Sequence, residues 1–132
     1  MEVRVDLAQI VIAENREMQL IVLRERNGER TLPILIGIYE AHAIERRVKG
    51  VEYPRPLTHD LLANLIEQLS GDLEKIVIND LQEGTFFAKL VIRHSGELIE
   101  IDSRPSDAIA LGVASEVPIY VEDHVLDEAG PV

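Results

Sequence analysis

The sequence predicts an α+β fold: a mixed, largely antiparallel sheet with three helices, in a single domain spanning residues 1–132. Three observations predict it. Extended apolar runs follow one another across turn residues at both ends of the chain, as hairpins do. Between them, Ile38, Ala41, Ile44 and Val48 recur at helical spacing. The resulting order is three strands, two helices, three strands, one helix and one strand, which mixes hairpins with strand–helix–strand units.

Val3, Val5 and Leu7 alternate with Arg4 and Asp6, the pattern of a half-buried strand, and the run Ile10–Ala13 continues it after a bend. Leu20–Leu23 predicts a second strand and Thr31–Ile36 a third. Asn27-Gly28 between them is a strong hairpin signal, because a tight turn of this kind needs φ > 0 at both central residues. Pro33 lacks an N–H, which places the third strand at an edge or a bulge. The first helix follows Gly37 and stops at Lys49-Gly50, a cationic last turn followed by a C-terminal glycine. Pro54 and Pro56 hold the connector at residues 51–57 extended.

Thr58 is a suitable N-cap for the second helix, and Asp60 falls in its first turn. Leu61, Leu62, Leu65, Ile66 and Leu69 line one side of it, and Gly71 ends it. Strands are predicted over Leu73–Leu81, Thr85–Arg93 and Glu97–Asp102, with turns at Gln82–Gly84 and Ser95-Gly96. The third helix opens at Arg104-Pro105-Ser106-Asp107, with proline suited to the first turn. Its run from Ala108 to Ala114 is apolar almost all round, as in a buried helix. Pro118–Val121 is the last predicted strand, and an acidic tail follows Val125.

With 46% hydrophobic and 28% charged residues, the 132-residue chain can bury a core without staples. The absence of cysteine excludes disulfides, thiolate zinc sites, iron–sulfur clusters and a cysteine nucleophile. Aromatic residues are only 4%, so surfaces for base stacking are scarce. Thirteen Lys and Arg against 24 Asp and Glu give a net charge of −11, which repels a polyphosphate at long range. Stable duplex binding is not expected, and any nucleic-acid role must rest on a local basic patch or on cations held by carboxylates. Glu2, Arg4 and Asp6 interrupt the first apolar stretch, and no run reaches the roughly 20 apolar residues of a membrane span. The expectation is a cytoplasmic protein with no membrane partner.

Arg104-Pro105-Ser106-Asp107 is the sharpest local feature. A helix start offers unpaired N–H groups to an anion, Arg104 adds a bidentate fork for phosphate, and Ser106 adds a hydroxyl. A plainer reading competes with this one: Ser106 or Asp107 caps the helix, and Arg104 pairs with an acid such as Asp102 or Asp107. Thr58-His59-Asp60 sits at the other proline-led helix start, where His59 could act as base, ligand or donor and Asp60 could orient it. Here too simple capping competes. Arg55, between two prolines, could meet phosphate or a surface acid. The two helix starts could face one cleft. Glu40 follows Gly37, and Asp80 and Asp102 lie near strand ends; converging carboxylates of this kind could hold Mg²⁺ or Mn²⁺, and the alternative is turn and cap chemistry. There is no phosphate loop, dinucleotide fingerprint, His-Glu-x-x-His or Gly-x-Ser-x-Gly.

Several strings occur together and in order: Leu32-Pro33-Ile34 to Ile36-Gly37, Glu40-Ala41, Pro54-Arg55-Pro56-Leu57-Thr58-His59-Asp60-Leu61, Asp80-Leu81, Gly84-Thr85-Phe86, Ile101–Leu111 and Pro118–Val121. Together they resemble the bifunctional nuclease domain family over nearly the whole chain. The resemblance implies an α+β fold, nuclease activity on both DNA and RNA as in plant members, and a homo-oligomer, expected to be a dimer. Some members carry a further C-terminal UvrB/UvrC-type motif, which residues 1–132 lack. On this reading the candidate catalytic residues are His59, oriented by Asp60, and Asp107. Arg55, Arg104 and Ser106 would bind phosphate, and Glu40, Asp80 and Asp102 would hold Mg²⁺ or Mn²⁺. A reading from another class uses the same helix starts without catalysis: a regulatory module binding a small phosphorylated ligand or a protein partner.

Overall fold

In the computed structural model, which describes residues 1–129, one seven-stranded sheet carries helices on one face. The chain order is β1 (Glu2–Val11), β2 (Met18–Glu25), β3 (Thr31–Gly37), α1 (Ile38–Lys49), α2 (Thr58–Gln68), β4 (Gly71–Gln82), β5 (Thr85–His94), β6 (Glu97–Ser103), α3 (Pro105–Val113), β7 (Ile119–Glu122) and α4 (Asp123–Ala129). Across the sheet the strands lie β3-β2-β1-β7-β4-β5-β6. Every neighbouring pair is antiparallel except β4 with β7, so the sheet is mixed and largely antiparallel as expected.

Among the described residues the helix count differs: four, not three. Residues after Val125 read as an acidic tail in the sequence, yet Leu126, like Val125 before it, is fully buried in the core. Val125, Leu126 and Ala129 do have helical spacing, but the stretch is too short for its period to be read from sequence, so burial reveals α4. The bend in β1 is a register irregularity between Leu7 and Gln9. β3 is an edge strand, which accommodates Pro33.

The Asn27-Gly28 hairpin forms with a longer loop, and neither residue takes positive φ. Arg30 closes it instead. Its guanidinium donates to both Glu25 carboxylate oxygens, at 3.2 and 2.9 Å, and the Arg30 carbonyl accepts from the Glu25 N–H at 2.9 Å. The left-handed two-residue turns occur at Glu83-Gly84 (φ 50° and 81°) and Ser95-Gly96 (φ 51° and 80°).

The core lies between the sheet and helices α1, α3 and α4. Ile21, Leu23, Ile76 and Ile78 meet Ile44, Ile109 and Leu126, all with no exposed surface. Small residues let α3 approach the sheet closely: a Cβ on Gly112 would lie 2.4 Å from Ile76 Cδ1. Helix α2 packs differently. It has no buried residue, and Leu61, Leu65 and Leu69 stay about half exposed or more. Among the described residues no helix makes more than marginal contact with the edge strand β6, whose Ile99 and Ile101 are also exposed. Among the described residues no helix is long and apolar enough to cross a membrane.

Candidate active site

Two helix starts, 46 residues apart at Thr58 and His59 against Arg104 and Pro105, meet at one cleft. The approach to α2 is extended, with Leu57 at φ −82°, ψ 177° occupying the N-cap position that the sequence assigned to Thr58. Leucine has no oxygen to cap with. Asp60, in the first turn, reaches back to accept the Leu57 N–H at 3.0 Å. Its other oxygen accepts from the Arg47 guanidinium. Arg47, largely buried, also donates to the Ala110 carbonyl at 2.5 Å and to the Leu111 carbonyl at 3.2 Å. A single guanidinium therefore ties α1, α2 and α3 together.

Helix α3 begins after Arg104, which stays extended (φ −73°, ψ 147°), with Pro105 in the first turn. That turn presents Asp107. Its Oδ1 lies 3.0 Å from His59 Nε2, and its Oδ2 accepts from Arg104 Nε at 2.9 Å. Arg104 Nη1 is 3.6 Å from Glu40 Oε2. The result is a row, Glu40–Arg104–Asp107–His59, assembled from α1, the start of α3 and α2. Burial pushes the Asp107 carboxyl up, but the hydrogen bonds from Arg104 and His59 outweigh it and hold the group below its ordinary value. Asp107 raises the Arg104 value in turn. An ionised Asp107 accepts from Nε2, so in neutral His59 the proton sits there and Nδ1 is the ring position that can take another.

The cleft encloses about 550 Å³. Three guanidiniums line it (Arg46, Arg47 and Arg104), as do three carboxylates (Glu40, Asp60 and Asp107), so it is locally balanced although the chain carries −11. Arg47 and Arg104 are engaged by acids. Arg46 makes no ion pair among the described residues. Tyr39, 83% exposed, and Tyr53 stand on the walls.

Several expected positions are corrected by this geometry. Asp107, not Asp60, holds His59; Asp60 is engaged by the Leu57 N–H and Arg47. Arg55 is exposed and is not among the cleft-lining residues; Arg46 and Arg47 are there instead. Ser106 is buried, at 5% exposure, and lines a neighbouring hollow with Phe86 and Gly37. Of Glu40, Asp80 and Asp102, only Glu40 lines the cleft. Asp80 accepts from Gln82 Nε2 at 2.7 Å and the Leu81 N–H at 2.9 Å, and its carboxylate lies 3.5 Å from His124. The Gln82 bond and then the Leu81 N–H hold its value down, as for a turn residue. Asp102 sits on β6 opposite Lys89. Among the described residues no group of three His, Asp or Glu side chains could hold a metal ion. Glu40, Asp80 and Asp102 are therefore not brought together at one site.

The sequence reading missed Tyr39, Arg46, Arg47 and Tyr53. It placed Arg46 and Arg47 on the first helix away from its apolar positions. The spacing Tyr39, Ala43, Arg46 (i, i+4, i+7) was the available signal, because it puts all three on one helix face.

A sequence signature described as the bifunctional nuclease domain matches residues 21–132. The chain belongs to the bifunctional nuclease domain family. Within that family it is similar to an uncharacterised protein of Mycobacterium tuberculosis, 47% identical over 129 residues, covering 98% of this chain and 76% of the other. It is 30% identical to bifunctional nuclease 2 of Oryza sativa subsp. japonica, over 83% of this chain and 35% of the rice protein. With bifunctional nuclease 1 of Arabidopsis thaliana the identity is 24% over 80% of the chain. The bifunctional nuclease domain described here spans about a third of either plant protein.

Proposed function

We propose that this domain is a nuclease that hydrolyses phosphodiester bonds of RNA and DNA with little sequence preference. The observation that carries the reading is the 3.0 Å pair of His59 Nε2 and Asp107 Oδ1 in a cleft lined by three arginines. Phosphodiester hydrolysis needs a proton taken from the attacking water, a proton given to the leaving oxygen, and positive charge around phosphorus. His59 serves the proton transfers, held in one tautomer by Asp107. Arg46 and Arg104 face the phosphate oxygens. Contacts to backbone phosphate carry no sequence information, which agrees with low specificity. The proton transfers and the charge stabilisation proposed here rest on the cleft's own side chains.

A second reading is favoured by one observation. Arg104 is already engaged by Asp107 and approached by Glu40, as it would be in a module that binds a small phosphorylated ligand or a protein partner without catalysis. One experiment separates the two. Purified protein is incubated with single-stranded RNA and DNA, in EDTA and with added Mg²⁺ or Mn²⁺. Cleavage that disappears in His59→Ala and Asp107→Asn, with folding intact, supports the nuclease. Cleavage that persists in both variants overturns it, and absence of cleavage with a thermal shift from nucleotides favours the binding module.

The expected self-association we assign to the leucine side of α2 and the bare inner face of β6. Each copy then supplies an apolar helix side and the uncovered strand that can receive one, which suits a closed two-fold pair.

A further inference from the structure

We propose that the cleft face of α1 is a nucleotide ledge that selects single-stranded substrate: Tyr39 stacks on an unpaired base and Arg46 holds an adjoining phosphate. This deepens the nuclease reading by naming the form of nucleic acid the cleft takes.

Aromatic side chains are scarce here, five Tyr and Phe in 132 residues and no Trp. Two of the three tyrosines line this one cleft. Tyr39 is 83% exposed in the second position of α1, where burial cannot account for an aromatic. A large, flat, rigid ring kept in water beside an acid–base pair is suited to stacking on a base, and stacking accepts any base. Four residues on, Ala43 lines the same cleft with a methyl group and leaves room over the helix. Three further on stands Arg46, whose guanidinium no acid among the described residues neutralises. Tyr39 and Arg46 are seven residues apart, so their backbones are separated by about 10 Å along the helix. That spacing suits a base at one end and a phosphate at the other. Tyr53, on the connector before α2, lines the same cleft.

A duplex does not fit this arrangement. Its bases are already stacked and paired, so Tyr39 has no free base to meet. The chain's −11 charge also repels a second phosphate strand lying outside the cleft. Discrimination therefore comes from the ledge and from the acidic body around it, and bases are distinguished little because their edges are not read.

The test is binding, measured separately from cleavage. Fluorescence anisotropy of the whole protein is recorded in EDTA with short labelled oligouridylate and oligothymidylate, an abasic strand of equal length and a blunt hairpin duplex. Gels verify that the probes stay whole. Tyr39→Ala should weaken binding of the base-carrying single strands roughly 5- to 100-fold, with Tyr39→Phe staying close to wild type. The abasic strand should bind wild type as weakly as the intact strand binds Tyr39→Ala. Arg46→Ala should lower the slope of log affinity against log salt by roughly 0.7, and Arg46→Lys should restore it. The melting temperature should not move in Tyr39→Ala, since the ring is in water. The proposal is overturned by unchanged single-strand binding in Tyr39→Ala, by duplex binding as tight as single-strand binding, or by no binding of any probe. Binding that follows this pattern without cleavage defeats the nuclease reading alone; cleavage with a wild-type KM in Tyr39→Ala and Arg46→Ala defeats the ledge alone.

Discussion

His59 Nε2 and Asp107 Oδ1 lie 3.0 Å apart although 48 positions separate them in the chain. Each comes from the first turn of a helix that a proline-led segment introduces, and Arg47 fixes the two helices against a third. If this pair performs the proton transfers, His59→Ala should reduce nuclease turnover by roughly 10²- to 10⁴-fold. The double variant with Asp107→Asn should lose little more than His59→Ala alone, because the two act as a unit. Single-turnover rates on one oligonucleotide measure both; additive losses would show that the residues act independently.

Acid should loosen the same contact. Asp107 is held below its ordinary value in the folded protein, so its contribution to stability is complete above the unfolded value near pH 4. It is lost as pH falls through the folded value, when the proton severs the bonds to Arg104 and His59. Asp6, Glu25 and Asp80 are lowered too, so wild type alone does not isolate the effect. The difference in melting temperature between wild type and Asp107→Asn does. It should shrink as pH falls below about 4.

Arg47 should matter for stability more than for chemistry. Arg47→Met removes the partner of Asp60 and strips the Ala110 and Leu111 carbonyls of a donor. A loss of about 1–3 kcal/mol is expected in urea unfolding, the range for leaving such groups unpaired. Arg47→Lys should recover only part, since an ammonium cannot span the carboxylate and two carbonyls as the planar fork does.

Charge on the leucine side of α2 should separate copies of the protein without unfolding them. Leu65→Glu and Leu69→Glu fall on side chains 47% and 66% exposed, so the melting temperature at low protein concentration should hold. Sedimentation velocity should show a lighter species than wild type. An unchanged sedimentation coefficient would remove this face from the association.

Much of the fold was legible because its signals are local. Apolar runs between turn residues, alternating in the first strand, marked the strands, the 38/41/44/48 spacing marked α1, and Gly50 in the left-handed region ended it as glycine there should. The failures share a cause: the deciding contact was distant. Asn27-Gly28 has the residues of a tight left-handed turn, but Arg30 clamping Glu25, Asp123 and Asp127 holds a wider loop. Asp60 is adjacent to His59 in sequence, yet its carboxylate is taken by Arg47 from another helix. Arg55 looked presented by its prolines, whereas Arg46 reached the cleft through a helix face. Charge patterns on a helix surface do not say which side will meet another element.

His59 rides on α2, the helix that buries none of its residues and whose first turn is tied to α1 by Asp60 and Arg47. Local opening draws on the least anchored elements first. The pair that would do the chemistry can therefore come apart and re-form while the sheet beneath stays intact, and a partner gripping α2 would set how often it does.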